Sequence, residues 1–183
     1  MNEFMSTQMP LAIGLFLFSV VIELIIVCNR TVARQVPTNY ILLAIFTVCQ
    51  SFYFAVVTTM YTSSSVIMAA GMTAGMTLAL TAYAFTTKRD FTVCGSLFFC
   101  LTVGLIMLML CSVFMTFAEW WHPLVSSLLV VFYGLYLIYD TQLIAGGGTY
   151  GLTTDDYIIG ALLIYVDIMM LFLELLRLLG ENR

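Results

Sequence analysis

Charged residues are scarce in this sequence: Asp, Glu, Lys and Arg make up 9% of its 183 residues, whereas 62% are hydrophobic. A water-soluble domain carries about 25% charged residues, so the composition excludes an ordinary soluble domain. No basic run is present, and we expect no nucleic-acid partner. The formal net charge of -4 rests on so few charges that it indicates little else about partners.

Residue types on which many enzymes depend are also scarce. His122 is the only histidine and Lys88 the only lysine, which argues against a bis-histidine haem within the chain and against a retinal Schiff base. The sequence contains no G-x-S-x-G elbow, H-E-x-x-H helix or phosphate-binding loop. The five cysteines form no C-x-x-C pair and are typical of small buried hydrophobes. We therefore predict no catalytic residue, no metal site, no cofactor and no enzymatic activity.

Long hydrophobic runs dominate the chain. A membrane-spanning helix needs roughly 20 apolar residues, and six stretches qualify. They cover approximately residues 9–28, 38–60, 64–87, 91–117, 124–143 and 157–179. Short connections favour antiparallel neighbours. The sequence thus predicts an all-α polytopic membrane bundle, a single transmembrane domain over residues 1–183 that is surrounded by lipid.

The basic residues of the loops predict the orientation of this bundle. Arg30, Arg34, Lys88 and Arg89 fall in loops on the same face of the predicted bundle. The positive-inside rule places that face in the cytoplasm or its equivalent, and both chain ends on the opposite side.

Two acids lie inside the last two hydrophobic stretches: Asp140 in GLYLIYDTQLI and Asp167 in ALLIYVDIMM. An ionisable residue inside a membrane helix indicates a functional site by default. The two helices are joined by the turn at 145–154, so the acids can approach and share one proton. We predict that protonation holds the helices together and that deprotonation opens a cation path. The alternative is that each acid separately caps a backbone group or faces trapped water.

Other charged residues suggest local roles. Glu174 and Arg177 are three residues apart on one helical face, which favours an ion pair. Thr153 and Asp156 resemble a capping box before the last helix. Glu23, in the first helix, could pair with a nearby arginine, Arg30 or Arg34, or line a pathway, and the sequence does not choose between these roles.

These motifs resemble a known family, the transmembrane BAX inhibitor motif proteins, also called Lifeguard or Golgi anti-apoptotic proteins. The resemblance covers nearly the whole chain from about Met9 and is most specific in the final hairpin. The matching segments there are Tyr139-Asp140, Asp155-Asp156-Tyr157, Ala161 to Ile168 and Leu175 to Leu179. Two further segments, Val36 to Val48 and Lys88 to Phe91, look like the Golgi branch.

The resemblance implies a helical fold in which the last helix is central and the others wrap it. It also implies that Asp140 and Asp167 form a pH-sensing pair, and that the protein is a calcium leak and a regulator of calcium homeostasis and cell death. A basic latch on one aspartate is implied as well, with Arg34 or Arg30 as candidates. The implied location is a Golgi or endoplasmic reticulum membrane, with the mitochondrial inner membrane as the alternative.

The sequence departs from the family pattern in several respects, and one of them, at the N-terminus, suggests a second function. The family has seven helices and this chain begins where the second should, so we expect the first family helix to be missing. Lipid or a partner membrane protein would then cover the exposed flank of the central helix. Glu174 is an additional acid. The alternative function is therefore a structural accessory subunit of a larger membrane complex, for example in the mitochondrial inner membrane, without channel activity.

Overall fold

The computed structural model describes residues 2–112, 120–146 and 151–181, with the side chains of residues 2–6, 109, 111 and 112 left aside. Six of its helices are long and apolar enough to cross a membrane, which confirms the predicted all-α polytopic architecture. The described helices are α1 (Asn2–Cys28), α2 (Arg30–Arg34), α3 (Thr38–Thr58), α4 (Ser63–Thr86), α5 (Gly95–Ser112), α6 (Trp121–Ala145) and α7 (Tyr157–Leu179). Short 3-10 helices at Phe91–Cys94 and Thr154–Asp156 precede α5 and α7.

The helix bounds differ from the predicted ones mainly near the N-terminus. α1 begins at Asn2 and not near residue 9, because hydrophobicity marks where a helix enters the membrane and not where the helix begins. The five-residue helix α2 was not predicted, since it has no hydrophobic pattern of its own; the Asn29 side chain caps it by accepting a hydrogen bond from the Val32 amide. The predicted end of the fourth span falls within residues 113–119, outside the described residues.

The chain divides into two compact units, of which the first comprises Met1–Ser63, Thr154–Leu162 and Glu181–Arg183. In this unit α1 packs against α3, with the rings of Phe16 and Tyr53 4.6 Å apart. Its apolar side chains include Ile26 and Phe46, both fully buried. The Thr62 amide donates a hydrogen bond of 3.0 Å to the Glu181 carbonyl.

The second unit comprises Ser64–Thr153 and Leu163–Gly180. Helices α4 and α6 approach closely at Gly134, where a Cβ atom would lie 3.3 Å from Cδ1 of Leu80. Helices α5 and α6 meet through aromatic rings: Phe98 lies 5.1 Å from Tyr136 and 4.5 Å from Tyr139, centroid to centroid. Aromatic pairs at these distances stabilise a helix contact beyond simple burial.

Helix α7 is the most buried of the six spans. Half of the residues in its most hydrophobic 18-residue stretch are buried, whereas the corresponding share in the other five spans is 11% to 39%. Its first residues, up to Leu162, belong to the first unit, and the rest belong to the second.

Candidate functional site

Asp140 on α6 and Asp167 on α7 form a hydrogen bond through their side chains. Both are almost completely buried, with exposed fractions of 4% and 5%. An ionised carboxylate only accepts hydrogen bonds, so two carboxyl groups can bond to each other only if one carries a proton. The arrangement can therefore hold one proton between α6 and α7.

Fully buried leucines flank both members of this acid pair. Leu137 lies one turn before Asp140 and Leu171 one turn after Asp167, and neither leucine has any exposed surface. Residues three or four apart share one helical face, so each acid projects from the same face as a buried leucine. The Thr141 hydroxyl is bonded at 2.6 Å to the Leu137 carbonyl within α6. In such surroundings the electrostatic coupling between the two carboxyl groups is much stronger than in water.

Tyr136 lies within electrostatic range of both acids. Its hydroxyl donates a hydrogen bond of 3.0 Å to the Phe98 carbonyl of α5 and is in close contact with the Thr102 hydroxyl. These contacts attach α6, one turn before Asp140, to the middle of α5.

A cavity with a volume of ≈ 490 Å³ lies beside Tyr139, the residue that precedes Asp140. The hydroxyl-bearing side chains of Thr92, Ser96 and Tyr139 contribute to its lining. Tyr139 in turn lies within electrostatic range of Asp140. Hydroxyl groups can hydrogen-bond water, so this cavity can hold water next to the residue that precedes Asp140.

In the first unit, Arg34 forms a two-pronged ion pair with Asp156. Nε of Arg34 lies 2.7 Å from Oδ1 and Nη2 lies 2.9 Å from Oδ2. The Asp156 side chain is 1% exposed and that of Arg34 38%. The hydrogen bond to Asp156 raises the pKa of the Arg34 guanidinium above its usual range. Because Asp156 had been assigned only to capping the last helix, this ion pair is a feature that the sequence interpretation missed.

Two of the family-like segments meet around this ion pair. Nδ2 of Asn39, a fully buried residue at the start of α3, donates to the Ala33 carbonyl at 3.0 Å and to the Tyr157 hydroxyl at 3.2 Å. The ring of Tyr157 lies 6.0 Å from that of Tyr40. The start of α3 and the start of α7 are thus joined by polar contacts as well as by packing.

The remaining charged candidates are separate from this ion pair. Glu174 and Arg177 form the predicted ion pair, with Oε1 and Nη1 2.7 Å apart, and the buried Ser126 of α6 also hydrogen-bonds to Glu174. Glu23 is half-buried on α1 and forms no salt bridge with any described residue. The suggested pairing of Glu23 with Arg30 or Arg34 is therefore not formed.

The two latch candidates lie in different surroundings. Arg30 is exposed at the start of α2. The partner that the structure shows for Arg34 is Asp156, because α2 directs its last side chain toward the segment that begins α7. A latch between either arginine and Asp140 or Asp167 stays a prediction.

Gln142 is a second residue that the sequence interpretation missed. Its side chain, on α6 two residues after Asp140, holds the loop between α4 and α5: Nε2 donates to the carbonyls of Ala84 (3.2 Å) and Arg89 (2.9 Å), and Oε1 accepts from the Phe91 amide at 2.8 Å. The signal in the sequence that could have identified it is a polar amide near the end of a hydrophobic run.

Six helices that are long and apolar enough to span a membrane define a polytopic α-helical membrane protein, and two buried acids are hydrogen-bonded between the last two of these helices. The family model described as "Inhibitor of apoptosis-promoting Bax1" matches residues 2–183. The chain therefore belongs to the BAX inhibitor motif family, as its final hairpin suggested.

Curated relatives agree with this assignment. The chain is 36% identical over 166 residues to Protein lifeguard 3 of Homo sapiens, covering 89% of this chain and 53% of that protein. It is 35% identical over 162 residues to Protein lifeguard 3 of Mus musculus, covering 87% and 52%. A BI1-like protein of Arabidopsis thaliana is 32% identical over 182 residues, covering 92% and 67%. The chain thus spans about half the length of the two lifeguard proteins.

Proposed function

We propose that this protein is a pH-sensitive leak for cations, with calcium as the permeant ion, and that the Asp140–Asp167 pair is its proton sensor. The observation that carries the proposal is the side-chain hydrogen bond between these two buried acids. A shared proton bonds α6 to α7, and removing it turns that bond into a repulsion. The interaction between the two helices at this point is therefore attractive when the proton is present and repulsive when it is absent.

The electrostatic magnitude is sufficient for a switch. Two unit charges about 4 Å apart repel by about 4 kcal/mol at an effective dielectric constant of about 20. Each 1.4 kcal/mol is a factor of about ten in an equilibrium constant, so this repulsion shifts a closed–open equilibrium about a thousandfold. Loss of the proton also leaves negative charge in the helical interior, which attracts a cation. We therefore expect cation flux to rise as pH rises.

The cavity beside Tyr139 supports the proposal from another direction. A proton sensor needs water within reach, and this cavity brings hydroxyl groups close to the residue that precedes Asp140. We assign it the role of aqueous access to the acid pair. The hydrogen bond from Tyr136 to α5 holds α6 in place one turn before Asp140.

In a cell, we propose that this leak contributes to calcium homeostasis and to the control of cell death from an endomembrane, the Golgi or the endoplasmic reticulum. Membership of the BAX inhibitor motif family and similarity to the lifeguard proteins support this proposal.

The experiment is calcium flux into liposomes that contain the purified protein, measured with an entrapped indicator across pH values from about 6 to about 8. The wild type is expected to conduct more at the higher pH. Asp140→Asn and Asp167→Asn each remove a titrating carboxyl group, and each should abolish most of the pH dependence. Asp155→Asn is the matched control, because it removes an exposed acid from the segment before α7 and should leave the pH profile unchanged.

Two outcomes would overturn the proposal. One is an unchanged pH profile in both Asp140→Asn and Asp167→Asn. The other is the absence of calcium flux at any pH from wild-type protein that is folded and correctly inserted.

A further inference from the structure

We propose that the cavity at the loop between α4 and α5 binds the phosphate headgroup of an anionic phospholipid. The cavity has a volume of ≈ 300 Å³. Its lining includes Ala84, Phe85, Lys88, Arg89, Asp90 and Gln142. Such a volume is at the lower end for sites that bind small ligands and suits a headgroup. The site is independent of the acid pair and of the leak proposed above.

Both cations of the cavity are available to a ligand. Lys88 and Arg89 are exposed, and neither forms a salt bridge with any residue in the described parts of the chain. The neighbouring acid is engaged elsewhere: Oδ1 of Asp90 accepts hydrogen bonds from the Thr92 amide at 2.9 Å and from the Thr92 hydroxyl at 2.5 Å. Asp90 thereby caps the 3-10 helix that follows. With Lys88 and Arg89 against Asp90, the lining has one more positive than negative charge.

The loop that carries these cations is held by Gln142 and not by the cations themselves. Nε2 of Gln142 bonds to the carbonyls of Ala84 and Arg89, and Oε1 accepts from the Phe91 amide. The loop backbone is therefore fixed on both sides of Lys88 while the two charged ends stay free to contact a ligand. A binding site formed in advance loses less entropy when a ligand binds.

Helix C-termini carry partial negative charge, which opposes an anion, and both α4 and α6 end at this cavity. The structure reduces that effect, because several of the last carbonyl groups already accept hydrogen bonds. The Tyr83 carbonyl accepts from Thr87, the Ala84 carbonyl from Gln142, and the Leu143 carbonyl from the Leu152 amide. The excess of positive charge from Lys88 and Arg89 over Asp90 then favours an anion at this cavity.

The position of the cavity favours a lipid over a soluble phosphate compound. It lies where the spans Ser63–Thr86 and Phe91–Leu108 meet, which is the depth of the headgroups. Phe85, on the apolar side of the lining, is 65% exposed and can contact an acyl chain. Basic pockets between transmembrane helices are a recognised way of binding anionic headgroups. In this proposal, the segment from Lys88 to Phe91, which resembles the Golgi branch, contributes the two cations that bind the headgroup.

The experiment is native mass spectrometry of the detergent-solubilised chain titrated with phosphatidic acid, with phosphatidylcholine as the neutral comparison. We expect one saturable phosphatidic acid per chain and weak retention of phosphatidylcholine. Each of Lys88→Gln and Arg89→Gln should weaken phosphatidic acid binding about fivefold, since one basic residue near a membrane contributes about that much. Arg30→Gln is the matched control, because it removes an exposed basic residue outside the cavity and should change binding by less than about twofold.

A second variant separates the two sources of the phosphate group. Phe85→Ala should weaken phosphatidic acid binding, and inorganic phosphate at the same concentration should not displace the lipid. The proposal is overturned if Arg30→Gln acts as strongly as Lys88→Gln. It is also overturned if inorganic phosphate competes as well as the lipid does, or if phosphatidic acid shows no preference over phosphatidylcholine.

Discussion

Arg34 and Asp156 are 122 residues apart in the chain, yet two nearly parallel contacts of 2.7 and 2.9 Å join their side chains. Planar pairing of this kind is specific to arginine with a carboxylate and sets orientation as well as distance. The pair ties the short helix α2 to the start of α7, within one compact unit. The first unit is therefore held together by a contact between segments that are far apart in the sequence.

The two halves of this ion pair should not be equally sensitive to mutation. Arg34→Gln removes the cation that compensates a carboxylate with only 1% exposure, and a buried charge that has lost its ion partner is strongly destabilising. Asp156→Asn leaves Arg34 able to contact water and should lower stability by about 1–3 kcal/mol. We expect the larger drop in Tm, measured in detergent, from Arg34→Gln. The double variant should recover part of the loss, and Arg30→Gln should change Tm little.

The Arg34–Asp156 pair should not itself respond to pH near neutrality. The hydrogen bond to Asp156 raises the pKa of Arg34 above its ordinary range, so its stabilising effect is complete at every pH below the pKa that arginine has in the unfolded chain. That effect is lost only as pH rises through the still higher folded value. The Tm difference between the wild type and Arg34→Gln should thus stay constant from about pH 6 to about pH 9. A difference that shrinks by half over this range would contradict the assignment.

Gln142 should control the local stability of the loop between α4 and α5. Gln142→Leu removes three hydrogen bonds and should cost about 2 kcal/mol, because the buried Ala84 carbonyl loses its partner. Gln142→Glu loses the two donated bonds but keeps an acceptor for the Phe91 amide. Hydrogen exchange read at Phe91 should therefore be fast in Gln142→Leu and remain slow in Gln142→Glu. Equal exchange in the two variants would show that this contact does not hold the loop.

The ion pair of Glu174 with Arg177 predicts a rescue. Arg177→Gln leaves the Glu174 carboxylate, whose side chain is 3% exposed, without its ion partner and should lower the unfolding temperature. Adding Glu174→Gln removes the uncompensated charge and should restore most of the loss. Thermal unfolding of the two single variants and the double variant measures this coupling. Strictly additive effects would mean that the two residues act independently.

The sequence determined the architecture, because that information is local. Six hydrophobic runs predict six spans, since a backbone in lipid must satisfy its hydrogen bonds within each helix. The pair Glu174 and Arg177 was predictable for the same reason: three residues along a helix bring two side chains together. The composition of the final hairpin was specific enough to indicate the family before any contact was known.

Which polar groups meet across helices became known only from the packing of the helices. Asp156 resembled a helix cap and proved to bind Arg34, and Gln142 drew no interpretation although it holds a whole loop. That Asp140 and Asp167 form a hydrogen bond also depended on the packing of α6 against α7. A buried polar group usually has a hydrogen-bond partner, so its presence in a hydrophobic run indicates that a partner exists. The local sequence does not identify that partner. The partner is set by the distance between side chains on different helices, which local sequence does not encode.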